Sequence, residues 1–255
     1  MATDLNSLLA GPNIACYNSM SPGEQNAIEL SLLQDWLNNS QSSPVTPWTP
    51  NTPGTLVEWL KADALSLSSG ASVATWTANA GNNATATGAQ EPTFITNNQN
   101  GLPIVRFNGS SNKMATASFG AQVQPFTVAM AFRDNGTGAN EIFFDDIVSS
   151  TELGASGGSF LADAGTFQAL KTFDNNFHIL FIVFHAASTQ YAFDGAALQT
   201  VGGTIGTNSI SGLTLGISQP GILPSQTDIG EILVWSGNGS SFYTSAFNYL
   251  NARWA

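Results

Sequence analysis

The spacing of hydrophobic positions changes once along the chain, near residue 40. Over residues 21–39 (SPGEQNAIELSLLQDWLNN), Ile28, Leu32, Leu33 and Trp36 recur at helical intervals and form one apolar stripe. Ser21 is placed to cap that helix, Pro22 to open it, and Glu24 to close a capping box on Ser21. Residues 40–54 (SQSSPVTPWTPNTPG) hold four prolines and neither period, which predicts an extended linker. From Thr55 onward, short apolar runs are broken by Gly, Asn and Asp. Strands are predicted at 56–61, 73–77, 104–108, 126–133, 141–148, 167–173, 177–186, 189–193, 212–217 and 229–235. Asn-Gly or Asp-Gly, the dipeptides of tight hairpins, stand at 100–101, 108–109, 135–136, 194–195 and 238–239. There is no strand–helix alternation, so a parallel nucleotide-binding sheet is disfavoured and an antiparallel sandwich is expected. Its predicted core holds Trp59, Trp76, Phe107, Phe132, Phe181 and Trp235. Residues 240–254 again read as a helix, with Phe242, Ala246, Phe247, Leu250 and Trp254 on one face and Ser240 or Ser241 as cap. The chain thus divides into a helical segment (1–39), a Pro-rich linker (40–54) and a mainly β sandwich (55–255).

Composition narrows the function. Charged residues make up 9% of the 255, and the formal net charge is −11. Nucleic acid and anionic membranes repel such a surface, and no basic run overrides the mean. Hydrophobic residues reach 42%, which argues against disorder. A single cysteine, Cys16, excludes an internal disulfide. The longest apolar run, 179–184, is too short for a membrane helix. The opening Met1-Ala2-Thr3-Asp4 has neither the basic start nor the apolar stretch of a secretory signal.

Several ordered stretches carry a family resemblance. LVEWLKADALSLSSGASVATWTANAGNNATATG (56–88) presents an apolar strand, the pair Ala62-Asp63, and a Val73-x-x-Trp76 strand before a small-residue loop. PIVRFNGSSNKM (103–114), HILFIVFHAASTQYAFDGAAL (178–198), LTLGIS (213–218) and DIGEILVWSGNGSSFYTSAFNYLNARW (228–254) follow in order. Together they resemble laminin-G-like, concanavalin A-type jelly rolls of bacterial and phage proteins, over residues 55–255. Residues 8–37 resemble, more loosely, short helical segments of phage structural proteins. The resemblance implies an antiparallel jelly roll in a non-enzymatic phage virion protein: a capsid decoration, head-fibre or tail-associated subunit that presents a lectin-like surface to host glycans. Capsid or tail proteins are the implied partners, and a homotrimer the implied assembly. Lectin-like sandwiches usually act outside cells, and a virion protein reaches that space by lysis without an export signal. The alternatives are an exported bacterial protein that binds or cleaves glycans, and a sandwich serving purely as scaffold.

The fold resembled also houses glycan hydrolases, so paired carboxylates matter. Glu141 and Asp145 share a strand face, but four residues place them about 13 Å apart, beyond the roughly 5–5.5 Å of a retaining pair, and Phe143 stands between them. Gly154-Ala155-Ser156-Gly157-Gly158 matches the nucleophile elbow in letters but lacks its strand–helix setting. His178 and His185 are seven residues apart, so a regular strand points them to opposite faces. Asp194, before Gly195, reads as turn chemistry. The expected ligand site is shallow and lies on loops, with Asp134, Asn135, Asp145 and Asp146 as acceptors. Those oxygens also leave calcium open, although no contiguous D-x-D-x-D loop exists and no cofactor is expected. Ile28, Leu32, Leu33 and Trp36 need a partner surface, which assigns the N-terminal segment to attachment and oligomerisation.

Overall fold

The computed structural model describes residues 20–27, 30, 47–148 and 151–255. The chain forms two compact units, Met1–Pro47 and Trp48–Ala255. In the first, residues 22–27 and Leu30 are helical. The capping box is present: the Ser21 N–H and hydroxyl donate to Glu24 Oε2 at 2.9 and 2.7 Å. Ile28, Leu32, Leu33 and Trp36 lie outside the described residues, as does the stretch 40–46.

The second unit is a sandwich of two antiparallel sheets. The first runs β15 (Gln199–Thr200), β14 (Gln190–Phe193), β13 (Phe177–Phe184), β8 (Phe126–Asp134), β17 (Thr227–Ser236), β1 (Leu56–Lys61) and β3 (Ala78–Ala80). Two further strands, β6 (Leu102–Arg106) and β5 (Thr93–Gln99), branch from β17. The second sheet runs β12 (Gln168–Thr172), β11 (Ser159–Asp163), β10 (Glu152–Ser156), β9 (Glu141–Asp145), β16 (Thr214–Leu215), β7 (Met114–Thr116), β4 (Ala84–Thr85) and β2 (Thr75–Trp76). A helix, Tyr243–Trp254, ends the chain. The architecture is the expected mainly β jelly-roll sandwich with a C-terminal helix.

The core differs from expectation in its division. Trp76, Phe107 and Phe132 are buried between the sheets, beside Phe143 and Phe160. Phe181 and Trp235 are also buried, but on the opposite face of the first sheet, beneath Ala246, Leu250 and Trp254 of the helix. Trp59 is only half-buried there. Strand parity is the reason. Leu180 and Ile182 point between the sheets while Phe181 points to the helix, and Val234 and Trp235 divide the same way. Central strands covered on both faces are apolar throughout, so alternation no longer tells inside from outside.

Helix capping differs too. Neither Ser240 nor Ser241 caps the helix directly; Ser240–Phe242 forms a 3-10 turn whose Ser240 N–H and hydroxyl donate to Asn238 Oδ1 at 2.9 and 2.7 Å. Packing begins ahead of β1. Trp48 lies against Tyr249 and Phe242, and the buried indole N–H of Trp235 donates to the Pro50 carbonyl at 2.8 Å.

The helix approaches β17 closely because Gly230 has no side chain. A Cβ there would stand 2.5 Å from the Trp254 ring. Gly230→Ala is expected to lower stability by about 1–3 kcal/mol through overpacking, read as an earlier urea midpoint of the full chain. An unchanged midpoint would show that the helix docks without this contact.

Candidate functional site

The structure does not bring the four expected acceptors to one exposed rim. Asp134 is buried at the end of β8, where Gly136 N–H donates to its Oδ1 at 2.8 Å. Its neighbour is Glu141 on the opposing sheet, and Asp134 Oδ2 and Glu141 Oε2 each lack another hydrogen-bond partner. Burial pushes Asp134 up to about 7, the Gly136 N–H opposing and the Glu141 carboxylate adding to the shift. Asn135 is half-buried beside it. Asp146, also buried, ties the end of its strand to the distant segment 211–212. Its Oδ1 receives the Ser211 N–H, the Ser211 hydroxyl and the Gly212 N–H at 2.7, 2.9 and 3.1 Å. Asp145 stands at the far end of β9 from Glu141, about 13 Å away by strand rise.

For metal, no group of three or more His, Cys, Asp or Glu converges among the described residues. The Asp134–Glu141 pair supplies two carboxylates, short of the six to eight oxygens calcium takes. His178 is buried, its Nδ1 and Nε2 each 2.8 Å from a carboxylate oxygen, of Asp194 and Asp174. Asp194 also does turn work, with φ of 53° ahead of Gly195. The elbow-like stretch is a hairpin. Gly157 and Gly158, at φ of 57° and 77°, link β10 to β11, and Ser156 Oγ donates to Asn140 Oδ1 at 2.7 Å.

That hairpin builds a site that was not expected. Glu152 pairs with Asp163 across it. On the other side Phe144 pairs with Leu153, so the next residues along, Asp145 and Glu152, face each other. A row of carboxylates therefore crosses β9, β10 and β11. Phe144 and Leu153 are core residues, which turns the row to the outer face of the second sheet. Beside it lies a groove of about 170 Å³, lined by Asn140, Ile142, Glu152, Ser156, Leu161, Phe167 and Leu223 among others. Phe167, in the turn leading to β12, is 47% exposed and Leu223 37%.

Electrostatics in the row are strained. Burial, together with the charges of Asp145 and Asp163, pushes Glu152 up to about 7. Burial also raises Asp145 and Asp163. Asp145 Oδ2 accepts the Gln219 N–H at 2.7 Å, and its carboxyl hydrogen-bonds that of Glu152. Each of two carboxyl groups in that contact disfavours the other's ionisation. A second cleft, about 400 Å³, lies between Trp48, Thr52, Thr55, Asn238 and Phe242, and its lining holds no charged side chain.

No protein-family model matches the chain, and no curated protein sequence matches it. Solved structures do match. Domain 4 of the extracellular arabinanase AbnA from Geobacillus stearothermophilus, in complex with arabinotriose, superposes with a TM-score of 0.51 at 10% identity, over 76% of this chain and 98% of that domain. Trypanosoma rangeli sialidase in complex with sialic acid gives 0.52 at 13% identity, over 89% of this chain and 39% of the sialidase. The receptor-binding domain of botulinum neurotoxin D gives 0.54 at 12% identity, over 80% of this chain and 55% of that one. At such identities the likeness is one of fold: the chain carries the β-sandwich these proteins share.

Proposed function

We propose that this chain is a non-enzymatic glycan-binding sandwich of a phage virion, and that the glycan lies on the groove beside Glu152. One observation carries the binding site. An exposed aromatic, Phe167, stands next to hydrogen-bonding groups of Asn140, Ser156 and Glu152 in a concavity on a rigid sheet face. Sugars are held by stacking on an aromatic and by a few placed polar groups. A matched domain was solved with arabinotriose, which agrees with this use of the fold. Binding without cleavage is supported by the Asp145–Glu152 contact. Glycoside hydrolysis needs its carboxyl groups at least about 5 Å apart with the sugar between them, and these two touch each other.

The virion setting rests on the resemblance of residues 55–255 to phage jelly rolls. The capped helix of the first unit serves attachment, and trimerisation follows from analogy with phage fibres. Purified particles labelled against this chain are expected to show it on capsid or tail. Labelling confined to host cytoplasm overturns that assignment. Deleting residues 1–40 is expected to leave a soluble sandwich that no longer joins particles; unchanged incorporation would remove the attachment role.

A glycan array followed by titration tests the groove. Phe167→Ala is expected to weaken the best ligand roughly tenfold, about 1.4 kcal/mol. Full binding by that variant, with its unfolding midpoint unchanged, would move the site elsewhere.

A further inference from the structure

The cleft beside Trp48 holds about 400 Å³, against about 170 Å³ for the groove beside Glu152, and falls in the size range of small-ligand pockets. Two walls frame it. One is the turn 49–54 ahead of β1, where the Thr52 N–H donates to the Thr49 carbonyl at 2.8 Å and the Gly54 N–H to the Asn51 carbonyl at 2.9 Å. The other is the stretch 236–242 between β17 and the helix. There the Thr127 hydroxyl donates to the Gly237 carbonyl at 2.9 Å and accepts the Gly239 N–H at 2.8 Å. The walls are also tied together: the Ser236 N–H donates to the Thr55 carbonyl at 2.9 Å, and Trp235 Nε1 to the Pro50 carbonyl at 2.8 Å. The cleft is therefore formed before a ligand arrives, and binding needs little further ordering. Its lining is aromatic and polar but uncharged. Trp48 and Phe242 are half-buried, their ring centroids 6.3 Å apart, while Thr55, Asn238 and Ser241 are exposed. Asn238 Oδ1 accepts from the Ser240 N–H and hydroxyl, but its Nδ2 donates to no described residue. The Thr55 and Ser241 hydroxyls and the Trp48 indole N–H likewise make no hydrogen bond with described residues. Two aromatic rings and four unmatched hydrogen-bonding groups around one hollow suit a sugar. Its C–H face packs on an aromatic while its hydroxyls both donate and accept. A wholly apolar ligand would strip water from those groups without replacing it, and a charged one would find no counter-ion.

We propose that this cleft is a second carbohydrate site, selective for an uncharged sugar. It stands independently of the groove beside Glu152. Trp48 and Phe242 pack on the helix side of the first sheet, whereas the groove lies on the outer face of the second. The two sites are on opposite sides of the sandwich, so one short oligosaccharide cannot span them and binding at one leaves the other open. With no charge in the lining, affinity at the cleft is indifferent to salt.

The test follows the indole N–H signals of the full chain by NMR during titration with cellotriose, maltotriose and N-acetylchitotriose. Trp48→Phe removes one of the six tryptophan signals and so identifies that of Trp48. At least one of these neutral trisaccharides is expected to shift the Trp48 signal saturably at millimolar concentration, equally at low and high salt. Thr55→Val removes one hydroxyl at an exposed position and is expected to weaken that titration about fivefold. Phe167→Ala is expected to leave it unchanged. No shift of the Trp48 signal with any of the three, in protein whose thermal unfolding is intact, overturns the cleft site; the groove reading then stands or falls by its own Phe167 titration. Full affinity in Thr55→Val, or loss of the shift in Phe167→Ala, places the sugar elsewhere and overturns it too. So does a peptide of residues 40–47 (SQSSPVTP) that binds at Trp48 more tightly than every sugar, since the cleft would then be an aromatic dock for the Pro-rich segment of another copy.

Discussion

Replacing Glu231 by alanine is expected to cost about 3–5 kcal/mol, because a buried charge network loses its centre. Glu231 is fully buried on the helix side of β17. Its Oε1 receives the Trp59 indole N–H at 2.7 Å and the Tyr249 hydroxyl at 2.9 Å. Its Oε2 receives the Trp254 indole N–H at 2.9 Å and Arg253 Nε at 3.0 Å. Arg253 is held in turn by Asp63 at 2.8 Å. Alanine would leave two indole N–H groups, a phenol and part of a guanidinium without their acceptor, each costing its desolvation. Glutamine is expected to be little better, since its amide NH₂ must face two of those donors. Urea unfolding of the full chain should show a lower midpoint with unchanged slope. Melting should fall by roughly 10 °C at this size. A loss below about 1 kcal/mol would mean that the helix is held by apolar packing alone.

That network also marks how far the sequence could be read. Long strands rich in Phe, Ile and Val were legible: 56–61 coincides with β1, and 126–133, 177–186 and 229–235 fall within two residues of β8, β13 and β17. The capping box at Ser21 and Glu24 was legible because caps are local chemistry. Short strands rich in Ala, Gly, Ser and acids were not. Ala78–Ala80, Ala84–Thr85, Met114–Thr116, Glu152–Ser156 and Ser159–Asp163 are too short, or too rich in Ala, Gly, Ser and acids, to show a strand pattern, and are strands because neighbours pair with them. The candidate site was lost with them. The conspicuous acids near strand ends are not ligand groups: Asp134 turns inward to accept from its own turn and Asp146 to accept from Ser211 on a distant segment. A usable signal did exist. Glu152 and Asp163 are equidistant from Gly157-Gly158, and a Gly-Gly hairpin sets equidistant residues opposite each other. The same letters also spell a nucleophile elbow, a pattern that tests local spelling and not strand pairing.

Stability is expected to rise as pH falls from 8 to about 5, opposite to a protein dominated by salt-bridged carboxylates. Burial pushes Glu58, Asp134 and Glu152 each up to about 7. Glu58 is fully enclosed; its Oε2 accepts the Asn82 N–H at 3.0 Å and its Oε1 has no partner. An acid whose folded pKa is raised binds more protons in the native state than in the unfolded one between the two values. Its penalty is therefore present in full above about 7 and fades as pH drops toward 4. Glu152 is partly open to solvent and counts for less. Together the three are worth on the order of 2–4 kcal/mol, or roughly 5–12 °C in melting temperature. A second set of acids bounds the gain from below. Burial pushes Asp174, Asp194 and Asp228 up, but hydrogen bonds and charge from Asn176, Lys171, His178, Ile179, Arg106 and Arg133 outweigh it. They hold Asp174 at about 2 and the other two below the ordinary range. Their contribution is present above the unfolded value and is lost as pH falls through the folded one, so stability should collapse below about pH 4. Thermal unfolding followed by circular dichroism from pH 3 to 9 should give a maximum near pH 5. Glu58→Gln removes one buried charge, so it should raise stability at pH 8 and flatten the descent from 5 to 8. A melting temperature that climbs steadily from pH 5 to 8 would show that these carboxyls are solvated and ionised in the folded protein.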